Sequence, residues 1–322
     1  MARARSIPYL QAAGLLAAVG VLATGCSQSA ATSARPVPAG APTGSPAAGS
    51  TPLPRPAVGA IPVLDSTVDK SMPIEQYLFT ADQTEQVTEA RGRLTVQCMQ
   101  RYGLTYTPPP LSQSSGPGGQ ATHRYDVVDP ANGYRPPKPA EAKPTPPPQL
   151  RPAELTVLAG TGPAGTEPIT SYRGLPIPKG GCLGEVDAKL TANGGAVTDD
   201  PLAISINFDN YRRSMADDTL QAAFHQWSAC MKIKGFTYPT PTDAMGDKRW
   251  KGTATASAEE IATATADASC RQQANIVGTW FTVESAYEEQ AIQADLDKLN
   301  QVKQGIAAVL KNAAVANGGG SL

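Results

Sequence analysis

The sequence predicts a mainly α-helical, disulfide-stabilised ectodomain with a long C-terminal helix and proline-rich disordered linkers. A motif with a cysteine, a glycine and a Tyr-x-x-Pro exit occurs twice, 132 positions apart. In the second half of the chain, apolar residues recur at the i, i+3, i+4, i+7 spacing of a helix. The 30 prolines among 322 residues cluster in segments with few large apolar side chains, which cannot bury enough surface to fold.

The repeated motif lies at residues 98–109 and 230–241. The identical pairs are Cys98 and Cys230, Met99 and Met231, Gly103 and Gly235, Thr105 and Thr237, Tyr106 and Tyr238, and Pro109 and Pro241. Each copy has the pattern of a helix that carries a cysteine in its last two turns and stops at a glycine, followed by an extended chain. We therefore expect one disulfide-anchored structural unit that is used twice.

The N-terminus resembles a bacterial lipoprotein signal. Two arginines precede an apolar run at residues 12–23, which is shorter than the about 20 residues that span a bilayer. The sequence Leu22-Ala-Thr-Gly-Cys26 is similar to a lipobox. This resemblance implies cleavage of residues 1–25, acylation of Cys26 and attachment to the extracytoplasmic face of the membrane through the acyl chains. The alternative is an ordinary secretory signal in which Cys26 is incidental.

The charge balance argues against a nucleic-acid partner. The formal net charge is −1, and it becomes −3 when Arg3 and Arg5 leave with the signal peptide. No broad basic surface is therefore expected. The one dense basic run, residues 248–251, is predicted to be a solvated loop.

Four cysteines remain once Cys26 is set aside, an even number that suits an oxidising compartment. Chain order favours disulfides between Cys98 and Cys182 and between Cys230 and Cys270. Crossed pairing and reduced thiols are the alternatives. With no C-x-x-C motif and only two histidines, the sequence predicts neither a metal site nor a cofactor. The G-x-G-x-x-G pattern at residues 160–165 is interpreted as a loop, because no good helix follows it.

The first half is divided at its prolines. Residues 26–71 are predicted to be a disordered stalk, and residues 72–198 the first cysteine unit. That unit contains a proline-rich insertion at residues 108–152, which has 13 prolines and an aromatic stretch, Tyr125 to Tyr134, expected on the domain surface. A capping box at residues 80–83 or 82–85 opens a helix at about residues 82–101. A strand is expected at residues 154–158 and a short helix at residues 183–190.

The second cysteine unit is expected at residues 199–322. It begins with a helix at residues 199–214, and Asp217 or Asp218 is expected to cap the next helix, which ends at Gly235. A loop is predicted to run from Trp250 to Thr255. From a cap at Ser257, helical sequence continues to about Asn312, with one bend at Gly278 and a length of about 80 Å if unbroken.

No catalytic residues are predicted, and we expect a protein that is not an enzyme. The acidic pairs at residues 199–200, 217–218 and 259–260 stand where helices begin, so they are interpreted as caps. Trp227 and Trp280 lie on apolar stripes and are expected in the core. Trp250 lies in a charged stretch and is the tryptophan that is a candidate for ligand stacking. His225 is expected to be a partly exposed helix residue.

The chain resembles a group of secreted actinobacterial lipoproteins of unknown function. The resemblance rests on Trp227-Ser-Ala-Cys-Met231, on residues 259–270 with Cys270, and on Pro178-Lys-Gly-Gly-Cys182. It implies export, acylation and paired cysteines at about residues 70–310. It brings no assigned activity, although such lipoproteins look like accessory parts of envelope or transport systems.

The favoured functional hypothesis is a non-enzymatic binding or accessory module for another envelope protein, suggested by the long C-terminal helix. The alternative is a lipoprotein that binds cell-wall or small-molecule ligands in a pocket formed by Trp250 and the Tyr125 to Tyr134 loop. An envelope hydrolase is the least favoured hypothesis.

Overall fold

The computed structural model describes residues 53–109, 125, 129–135, 150–162, 167–252, 255–320 and 322. Cys26, the predicted signal peptide and most of the predicted stalk lie outside these residues. The described part is mainly α-helical, as predicted. None of its helices combines the length and the apolar character needed to cross a membrane.

The described part contains helices along its whole length, and from α4 onward their connections are short. Their bounds are α1 (Ala81–Arg101), α2 (Pro152–Ala159), α3 (Gly181–Leu190), α4 (Pro201–Met215), α5 (Asp218–Ile233), α6 (Pro241–Met245), α7 (Ala258–Gln273), α8 (Ile276–Ala294) and α9 (Leu296–Asn317). Short 3₁₀ turns lie at Pro73–Tyr77, Pro130–Asn132 and Lys248–Trp250. A two-residue antiparallel hairpin pairs β1 (Ser171–Tyr172) with β2 (Leu175–Pro176).

The two copies of the repeated motif end α1 and α5 in the same way. The amide of Leu104 donates to the Met99 carbonyl at 3.1 Å, and in the second copy Phe236 donates to Met231 at 2.9 Å. Gly103 and Gly235 both have positive φ, at 68° and 90°. Glycine adopts this backbone conformation without the strain that a Cβ would bring. The repetition seen in the sequence is therefore a repetition of local structure.

Each copy is closed by a disulfide. Cys98 bonds to Cys182 and Cys230 bonds to Cys270, with a Cα–Cα distance of 5.7 Å in both. This is the pairing favoured by chain order. The two bridges differ in their partner helix, because Cys182 is in the first turn of α3 whereas Cys270 is in the last turn of α7. The same cysteine position thus serves two different helix arrangements.

The strand predicted at residues 154–158 is wrong, because these residues form α2. Pro152 opens the helix, Glu154 accepts from the backbone amide of Arg151 at 2.7 Å, and Gly160 ends it in the left-handed conformation. Val157 and Leu158 then pack with α1 and α3 around the first disulfide. A proline at the first position and a glycine just past the end are ordinary helix limits.

The C-terminal helical sequence is broken at places other than the predicted bend. Asn275 adopts a left-handed conformation, with φ of 47°, and separates α7 from α8. Asp295 separates α8 from α9, and Gly278 lies inside α8. The long C-terminal helix is therefore α9, with 22 residues.

The predicted stalk is too long at its C-terminal end. Residues 53–71 are described by the structure and lie against the helices. Arg55 pairs with Asp217 at 2.7 Å, and the Leu64 amide donates to Asn275 at 3.2 Å. Their composition predicts disorder because they offer few apolar side chains, but polar side chains of the helices hold them.

Helix α9 joins the two halves of the chain. Leu299 packs with the first 3₁₀ turn, α4 and α8, and Val309 packs with α1 and α3 farther along the same helix. Residues Pro52–Leu322 form one compact unit. The two predicted cysteine units, residues 72–198 and 199–322, therefore belong to one compact unit.

Candidate binding groove

A groove of about 660 Å³ lies beside α1, where the first copy of the motif leaves the helix. Its floor is the face of α1 that carries Thr88, Gly92 and Thr95. One wall is the exit segment that contains Tyr106 and Pro108. The other lining residues are Glu89, Arg91, Arg93, Val96, Gln97, Pro109, Leu183, Ala316 and Gly319.

The shape of the groove depends on Gly92. This glycine lies in the middle of α1, where glycine costs about 0.5–1 kcal/mol relative to alanine. A Cβ at position 92 would lie 3.3 Å from the Cβ and Cγ atoms of Pro108. The missing side chain lets the exit segment pack closely against the helix, and it leaves the floor of the groove without a large residue.

The same helix face is filled in the second copy. At the offset of 132, the floor residues Thr88, Gly92 and Thr95 correspond to Leu220, Phe224 and Trp227. All three large side chains are at most 1% exposed. They pack against α7 and α8, with the Phe224 and Trp280 rings in an edge-to-face contact at 5.3 Å. The groove is therefore the place where the first copy lacks the apolar side chains of the second.

The exit tyrosines also differ between the copies. The Tyr238 hydroxyl donates to Asp247 at 2.8 Å and accepts from Arg249 at 2.5 Å. Burial, followed by the hydrogen bond to Asp247, raises the pKa of Tyr238 to about 12. Tyr106 is half-buried in the groove wall, and burial raises its pKa as well. Among the residues that the structure describes, the Tyr106 hydroxyl makes no hydrogen bond.

The charged residues of the groove are paired. Arg91 forms a two-pronged contact with Asp187 of α3, with its Nε atom 2.9 Å from Oδ1. Arg93 pairs with Glu89 one turn earlier at 2.9 Å. These pairs neutralise the rim, so the groove is suited to an apolar ligand with few charges rather than to a phosphate or a carboxylate.

The aromatic stretch of the proline-rich insertion is not the surface loop that we predicted. Tyr125 is 1% exposed, and its ring stacks on Trp280 at 4.9 Å. Its hydroxyl donates to Glu284 at 2.6 Å. Tyr134 is half-buried and donates to Asp267 at 3.1 Å. The tyrosines therefore anchor the insertion in the second half of the molecule.

Trp250 is likewise not available for ligand stacking. The residue is 7% exposed, and its indole nitrogen donates to the Ala244 carbonyl at 2.7 Å. Tyr134 lies on one side of it, with ring centroids 6.3 Å apart, and Arg249 lies 4.8 Å from the ring centre. Residues 248–250 form a 3₁₀ turn, and the basic side chains of the run 248–251 are exposed as predicted, whereas Trp250 is buried. The predicted pocket between Trp250 and the tyrosines is filled by the protein itself.

A buried polar network holds this region together. Asp267 is fully buried and accepts from the Trp227 indole and from the guanidinium of Arg271, both at 2.8 Å. Arg271 also donates to the Tyr125 carbonyl. Glu260, interpreted with Glu259 as a helix cap, accepts from the Tyr134 amide and from Arg135. Ser257 still caps α7.

Two fully buried glutamates lie one turn apart on α8. Glu284 accepts from Tyr125, and Glu288 accepts from the Ile74 amide at 3.0 Å. Burial, with a further contribution from the charge of Glu284, raises the pKa of Glu288 to about 9. A protonated glutamate at neutral pH is compatible with acid–base chemistry. Neither residue lines the groove, however, so we assign both to the α8 core.

The other candidate residues have structural positions. Asp200 and Asp217 cap α4 and α5, in agreement with the interpretation of the acidic pairs. Trp227 and Trp280 are core residues, as predicted. His225 is exposed on α5, whereas His123 lies outside the described residues. In the part of the chain that the structure covers, no group of three or more His, Cys, Asp or Glu residues could hold a metal ion.

Comparison with protein-family models, with curated proteins and with solved structures finds no match to this chain.

Proposed function

We propose that this protein is a lipid-anchored module of the cell envelope that binds another envelope protein and catalyses no reaction on it. The observation that carries the proposal is the groove on α1. In the second copy the equivalent face is covered by the chain's own α7 and α8, whereas in the first copy the described residues leave a groove there. A partner that supplies apolar side chains would occupy the space left by Gly92 and the two threonines.

The location belongs to the same proposal. The lipobox-like sequence at Cys26 and the two disulfides both suit an acylated protein outside the cytoplasm. Metabolic labelling with an alkyne fatty acid tests the anchor, and the label should disappear in Cys26→Ser. A label that persists in this variant would refute acylation at Cys26.

The ligand class follows from the groove lining. The polar groups there are threonine and tyrosine hydroxyls, the amide of Gln97 and ion-paired side chains, and the remaining walls are glycine, proline, valine, leucine and alanine. Such a surface gains free energy by burying apolar groups, at about 25 cal/mol per Å². We therefore expect a segment with one or two large apolar or aromatic side chains.

Site-specific photocrosslinking tests the proposal in the acylated protein, in its own membranes. A benzophenone amino acid replaces Val96 in the groove, and a control replaces Gln304, which is exposed on α9. We expect position 96 to capture a partner that position 304 does not capture. Gly92→Phe, which introduces the residue of the second copy, should abolish the capture. Capture of the same proteins at positions 96 and 304 would refute the groove as the binding site. Capture that a folded Gly92→Phe variant leaves unchanged would refute it too.

A small-molecule or wall-fragment ligand is the second candidate. The volume of about 660 Å³ lies within the range of about 300–1,000 Å³ that is typical of ligand pockets. A ligand of this class should raise the melting temperature of the wild-type protein and leave that of Gly92→Phe unchanged. Equal shifts in both proteins would place the ligand elsewhere.

A further inference from the structure

Residues 53–64 cross the surface of the helical unit as an extended segment. The segment contains three prolines, and it belongs to no helix or strand. Within the described part of the chain, it shares no backbone-to-backbone hydrogen bond with the rest of the protein. Side chains from α4, α5 and the α7–α8 turn hold it instead.

The first contact is an arginine held by a buried carboxylate. Arg55 donates through Nε and Nη2 to the two oxygens of Asp217, at 2.7 and 2.8 Å, and its Nη2 also donates to the Thr219 hydroxyl at 2.8 Å. The Asp217 side chain is fully buried, caps α5 and accepts from Tyr287 at 3.1 Å. This two-pronged geometry is specific for a guanidinium.

The second contact recognises the backbone of the segment. The guanidinium of Arg213, in the last turn of α4, donates to the carbonyls of Leu53 and Pro54 at 3.0 and 3.3 Å. It is oriented by the Tyr287 ring, whose centre lies 4.7 Å away. Arg55 of the segment therefore binds a carboxylate of the helices, and Arg213 of the helices binds the backbone of the segment.

The third contact lies at the other end of the segment. The side-chain amide of Asn275 donates to the Pro62 carbonyl at 2.9 Å and accepts from the Leu64 amide at 3.2 Å. Gly278 makes room for this approach, because a Cβ there would lie 2.0 Å from the Pro62 oxygen. An amide side chain that satisfies both backbone groups of an extended chain is a means of peptide recognition that is independent of the peptide's side chains.

We propose that Arg213, Asp217, Asn275 and Gly278 form a binding site for an extended peptide that carries arginine between prolines, and that the protein's own residues 53–64 fill this site reversibly. Most of the segment is exposed even when bound, so little apolar surface opposes its release. Residues 65–71, which connect it to the first 3₁₀ turn, are also largely exposed. The site is distinct from the groove on α1, and the proposal does not depend on the groove.

The test uses a fluorescent synthetic peptide with the sequence of residues 53–64 and the full-length protein in three forms. Wild type has its site occupied by its own segment. Arg55→Ala weakens that occupant and leaves the site intact. Arg55→Ala combined with Asp217→Asn alters the site, while asparagine preserves the helix cap. A covalently attached competitor acts at an effective concentration of about the millimolar range, so it should mask the wild-type site strongly.

We expect the peptide to bind Arg55→Ala at least tenfold more tightly than wild type, and the double variant at least tenfold more weakly than Arg55→Ala. A peptide with alanine in place of its arginine should bind Arg55→Ala at least tenfold more weakly than the unchanged peptide does. Equal binding to all three proteins would place the peptide elsewhere and overturn the proposal. Lack of binding to folded Arg55→Ala at millimolar peptide would overturn it too, because the site would then have no affinity of its own for the segment.

Discussion

Glu288 shows how strongly one buried carboxyl group can make stability depend on pH. Its pKa is about 9 in the folded protein, against 4.5 for the free side chain. Between these values the folded state keeps a proton that the unfolded state has released. The free energy of unfolding is therefore greatest, as far as this group is concerned, below pH 4.5 and falls until about pH 9. The acidic residues that contribute to the shift are Glu284, Glu75 and Glu289.

We predict that Glu288→Gln removes most of this dependence. The amide keeps an oxygen for the Ile74 amide and carries no charge at any pH. Between pH 6 and pH 8.5, the wild type should lose about 3 kcal/mol of unfolding free energy relative to the variant, because this range lies below the folded pKa of about 9 and each pH unit is worth at most about 1.4 kcal/mol. Denaturant titrations at both pH values measure this difference. Glu85→Gln, at an exposed position on α1, is the control. Equal pH slopes in Glu288→Gln and wild type would contradict the prediction.

Individual residues were predictable where they obey local rules. The cap at Ser257 follows from residue type and position, and the caps at Thr80 and Asp217 were each one of two alternatives. The core positions of Trp227 and Trp280 follow from helical spacing. Tyr125 was assigned to the surface because its neighbours are prolines and polar residues. Its burial depends on Trp280 and Glu284, 155 or more positions away, so local sequence carries no sign of it.

The turn between α7 and α8 is set by one residue in an unusual conformation. Asn275 is left-handed and uses its side chain on Pro62 and Leu64, leaving α8 without a side-chain cap. Glycine adopts this backbone conformation without strain, whereas alanine is penalised by about 1–2 kcal/mol. Asn275→Gly and Asn275→Ala lose the same side-chain contacts. The difference in their stability therefore measures the backbone strain at position 275.

We therefore predict that Asn275→Gly is more stable than Asn275→Ala by about 1–2 kcal/mol. Thermal or denaturant unfolding of the two variants measures the difference. Gly278→Ala, in the same turn of α8, serves as a comparison because its Cβ would collide with the Pro62 carbonyl. Equal stability of Asn275→Gly and Asn275→Ala would show that the turn relaxes out of the left-handed conformation.

The helices were predicted best where a glycine or a capping residue marks their ends. Helices α1 and α5 match their predicted limits closely. Helix α2 was taken for a strand because the five residues 154–158, with three apolar side chains, are too few to distinguish helix from strand by periodicity. The break at Asn275 was missed because it depends on contacts of that side chain with Pro62 and Leu64, more than 200 positions away. The break at Asp295 has no glycine or proline to mark it. The groove was visible in principle, since the repeat aligns Thr88, Gly92 and Thr95 with three large core residues.

At the scale of the whole molecule, the two cysteine units depend on each other through α9. All three tryptophans belong to the second half of the chain, so their fluorescence reports on that half. Leu94 lies on α1, in the first half of the chain. It is 4% exposed and packs in the apolar cluster that joins α1 to α9. We predict that Leu94→Ala costs about 3 kcal/mol and lowers the unfolding midpoint seen by tryptophan fluorescence as much as the one seen by circular dichroism.

An exposed α1 substitution, Thr88→Ala, is the control and should leave both midpoints nearly unchanged. Separate transitions in Leu94→Ala, with the fluorescence midpoint unmoved, would mean that the halves unfold independently.

The binding of residues 53–64 to the helices also determines how far the folded part can lie from its proposed membrane anchor. Release of residues 53–64 would also free residues 65–71, which are largely exposed, so the folded part would begin at the first 3₁₀ turn instead of at Leu53. At about 3.3–3.6 Å per extended residue, the 19 residues 53–71 could add up to about 65 Å to the reach of the protein. When residues 53–64 occupy the peptide site, the protein would therefore stay nearer the membrane. When they are released, it would reach targets farther away.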